Sequence, residues 1–124
     1  MTTHEREQLR QELVDRLVQI YRTVRADLSQ VVVEEAMRPD PTDEAEESAV
    51  DELQAIASQL DDRDRHLAHS LEDALRRMRN DDFGICIDCG REIPFERLRA
   101  VPWTLRCAPD QSRVEKNDGH RATL

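Results

Sequence analysis

The sequence predicts a mostly α fold: a long antiparallel coiled-coil hairpin over residues 1–80, then a small zinc-finger-like knuckle and a short C-terminal helix over 81–124. Three observations carry this reading. Apolar residues recur at helical spacing on both sides of a proline-rich turn. Only 3% of the residues are aromatic against 36% charged, which is too little bulky apolar surface for a conventional globule and enough for a narrow seam. The glycines, cysteines and most of the aromatics gather after residue 80.

The first arm reads as one helix over residues 5–37, with Leu9, Leu13, Leu17, Ile20, Val24, Leu28 and Val31 stepping by three or four. Arg38-Pro39 ends it, because proline disfavours the helical conformation of the residue before it. Pro39-Asp40-Pro41-Thr42 is a stiff turn. Asp43 can cap the second arm, with Glu46 completing a capping box. Val50, Leu53, Ala57, Leu60, Leu67, Leu71, Ala74 and Met78 then keep close to a heptad spacing, although Asp64 falls in a seam position. Arms of ~35 residues would be about 50 Å long. A composition shift at Asn80-Asp81-Asp82 opens a loop-and-short-strand unit, followed by a helix from about Pro109 to Lys116 and a frayed tail from Asn117.

The knuckle holds the sequence's clearest chemistry. Cys86-Ile87-Asp88-Cys89-Gly90 and Cys107-Ala108-Pro109-Asp110 form a C-x2-C-x17-C-x2-D pattern. A C-x2-C turn aims two thiolates at one ion, and carboxylate is an acceptable fourth zinc ligand. Cys86, Cys89, Cys107 and Asp110 are thus the candidate ligands of one structural Zn2+. Water or His120 in the fourth place, a metal-free knuckle closed by Ile85, Ile93, Phe95 and Trp103, and a redox Cys86/Cys89 pair are the alternatives.

Charge bounds the partners. A formal net charge of −9 argues against sequence-independent nucleic-acid binding and against anionic membranes. Residues 39–64 carry ten acidic side chains and one basic one, Arg63. Such a probe suits a positively charged protein channel, although a solvated face is the plainer reading of the same charges. No signal-peptide core or membrane span is visible, so a cytoplasmic protein is expected, without membrane attachment and monomeric. Nothing resembles a nucleophile–base pair or a phosphate-cradling loop, so no enzymatic activity is expected. His4, His66 and His69 read as surface residues.

The whole chain resembles the DksA/TraR family of RNA polymerase-binding transcription regulators. The resemblance lies in Asp40-Pro41-Thr42-Asp43-Glu44-Ala45, which matches a D-x-x-D-x-A tip signature, in Asp81-Asp82-Phe83-Gly84-Ile85-Cys86, and in the cysteine spacing. It implies a bacterial regulator whose coiled coil enters the polymerase secondary channel without specific DNA binding. Asp40, Asp43 and Ala45 would be the polymerase-contacting tip and Arg63 a rim contact. Asp110 departs from the family's fourth cysteine. The family positions whose basic side chains clasp the alarmone ppGpp correspond to Ser70, Val101 and Gln111, none a cation, which implies weak or absent ppGpp dependence. The stretch from Asp43 to Cys86 is about three residues longer than usual; an ungapped register would put Asp43 and Glu46 at the tip. A zinc-ribbon nucleic-acid module using Arg91, Arg97, Arg99 and Arg106, or a protein-interaction module with another partner, is the alternative function.

Overall fold

The computed structural model describes the backbone of residues 1–39 and 43–122 and the side chains of residues 1–39 and 47–116. Six helices follow one another: α1 (Thr3–Arg22), α2 (Ser29–Ala36), α3 (Asp43–Ala57), α4 (Asp62–Arg79), α5 (Phe95–Ala100) and α6 (Ala108–Ala122). The fold is mostly α, as expected, and no named strand occurs among the described residues. The loop unit holds a single antiparallel bridge between Ile85 and Glu92.

The start of α1 is a capping box. Thr2 Oγ1 accepts from the Glu5 N–H at 3.0 Å, and Glu5 Oε1 accepts from the Thr2 N–H at 2.8 Å. Leu9, Leu13, Val14, Leu17, Val18 and Tyr21 form its buried face. This face packs antiparallel against Ala68, Leu71, Ala74, Leu75 and Met78 of α4, and α2 packs likewise against α3. These are the pairings of an antiparallel hairpin.

The arms are not continuous helices. The reading of one helix over 5–37 gives way at residues 23–28, and the second arm breaks at 58–61. Local bonds accompany both interruptions. Thr23 Oγ1 donates to the Ile20 carbonyl at 2.7 Å, and Arg25 pairs with Asp27 at 3.0 Å. At the second break Asp61 Oδ1 accepts from the Asp64 N–H at 2.8 Å, so Asp61 caps a new helix. Arg65 donates to the carbonyls of Ala57, Ser58 and Leu60, closing the end of α3.

The hairpin is therefore doubled over. Arg79 Nη2 donates to the Ala36 carbonyl at 3.1 Å, although 43 residues separate them. Met37 and Pro39 line one small groove with Arg6, Arg10 and Met78. The helices run up, down, up and down, so Met37–Pro39 lie at the knuckle end and not at the top of a rod of about 50 Å. Val33 and Ala36 are buried accordingly, and Val31, expected in the seam, is 68% exposed.

The knuckle seats on the foot of this bundle. Arg6 lies over the Phe83 ring, and Arg16 over Trp103 at 5.2 Å from the centroid. Arg77 donates to the carbonyls of Asp82 and Ile85 at 3.0 and 3.3 Å. The C-terminal helix begins one residue before Pro109, where it was expected, and its backbone runs on to Ala122, past the expected end near Lys116.

Candidate zinc centre and the acidic turn

Cys86 and Cys89 flank a tight turn in which the Gly90 N–H donates to the Cys86 carbonyl at 3.0 Å. Gly90 sits at φ +75, the conformation a residue with a Cβ adopts only at a cost. The Cys86 N–H donates to the Arg91 carbonyl at 2.8 Å, fixing the loop's other side. Cys107 immediately precedes α6 and Asp110 lies in its first turn, where free N–H groups favour anionic ligands. The ligand atoms of Cys86, Cys89, Cys107 and Asp110 all lie within 4.8 Å of one another.

The distances fit a small tetrahedral ion. Two sulfurs each about 2.3 Å from zinc stand about 3.8 Å apart at the tetrahedral angle. Cys89 Sγ and Cys107 Sγ are 3.8 Å apart. Asp110 Oδ2 lies 3.1 Å from Cys86 Sγ and 3.2 Å from Cys107 Sγ. Three thiols and one carboxylate, with Cys86 and Asp110 buried, make a donor set suited to a structural Zn2+. When bound, the ion supplies a cross-link between the C-x2-C loop and α6.

Protonation in the cluster is divided: Asp110 and Cys86 are lowered, whereas Cys89 and Cys107 are raised, chiefly by the neighbouring Asp110 carboxylate and by burial. Hydrogen bonds from the thiols of Cys86, Cys107 and Cys89 lower the Asp110 carboxyl to about 2, with Arg113 assisting. Cys86 is desolvated, yet backbone N–H groups of Cys107, Cys89 and Asp88 bring its thiol below the ordinary value. The Arg91 N–H favours the Cys89 thiolate, but the Asp110 carboxylate, burial and the neighbouring thiols push it up to about 11.

One residue that the sequence reading missed completes the site. Arg113 Nη2 pairs with Asp110 Oδ1 at 2.8 Å, leaving Oδ2 turned to the thiols. The signal was present as an Asp-x-x-Arg step on a helix. Deeper in the bundle, the Tyr21 hydroxyl donates to Glu72 Oε1 at 2.7 Å, an unforeseen link between α1 and α4. Burial and Glu72 together raise the Tyr21 pKa strongly.

Of the expected tip residues, Asp40 lies outside the described residues, and Asp43 and Ala45 begin α3 with side chains outside them. Arg63 is exposed in the first turn of α4, about 25 Å along that helix from Arg79. Ser70, Val101 and Gln111 line one groove of about 460 Å3 between α4, the knuckle and α6. Arg97 and Arg106 also border it, but both serve the knuckle: Arg97 donates to the Arg106 carbonyl at 2.9 Å, and Arg106 pairs with Asp88 at 2.6 Å. That removes two of the four arginines on which a nucleic-acid reading relied.

Comparison with known proteins agrees with this architecture. Residues 81–116 match the prokaryotic dksA/traR C4-type zinc finger, here with Asp110 in place of the fourth cysteine. Over 82 residues the chain is 36% identical to the RNA polymerase-binding transcription factor DksA of Escherichia coli (strain K12), covering 66% of this chain and 52% of that protein. The chain is similar to the DksA/TraR family, most clearly in its zinc finger. Another relative bearing this similarity is general stress protein 16O of Bacillus subtilis (strain 168), 40% identical over 52 residues, which are 42% of this chain and 32% of that one. The matched stretch thus spans about half of the DksA relative and about a third of the Bacillus one. The fold is similar to that in the structure of transcription factor DksA2 from Pseudomonas aeruginosa, with a TM-score of 0.62, 24% identity, and coverage of 97% of this chain and 90% of that one. No helix among the described residues is long and apolar enough to cross a membrane.

Proposed function

We propose that this chain is a cytoplasmic, non-enzymatic transcription regulator that binds RNA polymerase, enters its secondary channel with the turn at 39–45, and alters initiation with little or no help from ppGpp. The observation that carries the reading is the conjunction of a dksA/traR zinc finger with an antiparallel helix pair, α2 and α3, whose connecting sequence carries Asp40-x-x-Asp43-x-Ala45.

In this reading each part has one physical task. The zinc-bound knuckle clamps the foot of α4 against α1 and so fixes the hairpin's base. Asp40 and Asp43 supply negative charge to a basic channel, where low dielectric strengthens the attraction over its value in water. Arg63 contacts the channel rim. The net charge of −9 keeps the protein off nucleic acid, so the polymerase is its partner and DNA is not. With Ser70, Val101 and Gln111 in the groove beside α6, no cation is present at those three positions to meet a polyphosphate.

Run-off transcription from a sensitive promoter, with purified polymerase and with and without ppGpp, tests this directly. The protein changes transcript yield, ppGpp adds little, and Asp40→Asn with Asp43→Asn removes the effect while retaining the fold. A double variant that transcribes like the parent rules out the tip mechanism.

A further inference from the structure

The segment between α1 and the turn carries two competing apolar faces. Val24, Leu28 and Val31 continue the stripe of α1, three or four residues at a time. Val32, Val33 and Ala36 lie on another side of the same helix. In the doubled hairpin the second set is buried, with Val33 0% exposed, while Val24 and Leu28 stay half-buried against the core and Val31 alone of the first set is turned out, 68% exposed. A straight hairpin would use the first set, bringing Val31 into the seam and turning Val33 to water.

Nothing in the two joints forbids straightening. The sequence has no glycine before Gly84, and its only prolines before that point are Pro39 and Pro41. Residues 23–28 and 58–61 can therefore all adopt helical backbone. The first joint is already close to helical: the Arg25 N–H donates to the Tyr21 carbonyl at 2.9 Å, and the Ser29 N–H to the Arg25 carbonyl at 3.0 Å. The closure is also imperfect. Packed against α2, α3 leaves a groove of about 650 Å3 towards α4, and the buried Ser29 Oγ has no hydrogen-bond partner among the described groups.

We propose that the doubled hairpin is a closed, autoinhibited state, and that α2 and α3 swing out together about residues 23–28 and 58–61 to form one straight antiparallel hairpin. The inference rests on the reading that the 39–45 turn engages a basic channel of the polymerase. Closed, the residues leading into that turn sit beside Arg6, Arg10 and Met78 at the broad knuckle end, where the turn cannot lead an insertion. Open, it stands at the end of an arm about 50 Å long. The channel's positive field would draw it out.

Two reciprocal variants test this. Val33→Glu places a charge in the closed core and on the open surface. Val31→Glu sits on the closed surface and spoils the open seam. Small-angle scattering of the zinc-loaded full chain gives a radius of gyration of about 14 Å for the closed form and one near 20 Å for a rod about 50 Å long carrying the knuckle. The wild type and Val31→Glu scatter as compact particles and Val33→Glu as an extended one, with helicity and zinc content checked for each. Val31→Glu binds core polymerase at least tenfold more weakly than wild type, and Val33→Glu binds more tightly. An extended wild type, or a Val31→Glu variant that binds polymerase as wild type does, overturns the switch. Should Val33→Glu lose helicity, Val31→Glu still decides, because its site is exposed in the closed form. Failure of every form, wild type included, to bind polymerase overturns the functional reading instead, and scattering alone then judges whether the joints open.

Discussion

Replacing Arg113 by alanine probes the zinc centre without touching a ligand. The side chain is 73% exposed and holds Asp110 Oδ1 at 2.8 Å, while Oδ2 faces Cys86 and Cys107. A site of three thiolates, one carboxylate and Zn2+ carries two net negative charges, of which Arg113 offsets one. Removing it frees rotation of the carboxylate and deletes that offset. Loss of an outer-shell partner of this kind lowers metal affinity by about 10–100-fold, or about 1.4–2.8 kcal/mol. Competition with a chromophoric chelator at fixed pH measures it. Arg106→Ala, whose partner Asp88 is not a ligand, serves as the control and shifts affinity by less. An Arg113→Ala protein that holds zinc within twofold of the parent refutes the idea that the guanidinium positions Asp110. Loss of more affinity than in Asp110→Ala would show that Arg113 supports the fold rather than the ion.

Other expectations follow from the packing. Leu17→Ala empties a fully buried position between α1 and α4 and destabilises by about 2–5 kcal/mol in a denaturant titration. Asp61→Ala removes the cap of α4, and by the same method costs about 1 kcal/mol. Tyr21→Phe deletes a hydrogen bond to a carboxylate and costs about 1.5–3 kcal/mol at neutral pH. Because folding raises the Tyr21 pKa, its contribution is complete below the unfolded value of about 10 and is lost as pH climbs beyond it. Stability of the wild type therefore falls above pH 10 more steeply than that of Tyr21→Phe, which chemical denaturation at stepped pH reads out.

The parts legible in the sequence were those written in local pattern. The helical stripe of Leu9, Leu13 and Leu17 and the partner stripe of Leu71, Ala74 and Met78 are buried against each other. The cysteine spacing and the Asp110 substitution lead to four ligand atoms in one cluster, because a C-x2-C turn and a helix start each fix their own geometry. The doubling of the hairpin was not legible. Residues 23–28 contain no breaker, so the stripe reads on through Val24, Leu28 and Val31, and only tertiary packing selects Val33 and Ala36. At the second joint a signal existed: Asp61 ahead of Asp62 and Asp64 is a capped helix start, and Asp64 in a seam position was its trace. The Tyr21–Glu72 bond joins residues 51 apart and leaves no local mark.

Site-specific photo-cross-linking from position 42 to RNA polymerase tests the central claim most directly. With a photoreactive residue at Thr42, the account predicts adducts that map to the lining of the secondary channel and vanish when the turn's carboxylates are neutralised. Adducts on the outer polymerase surface alone, or adducts that persist unchanged without Asp40 and Asp43, would contradict it.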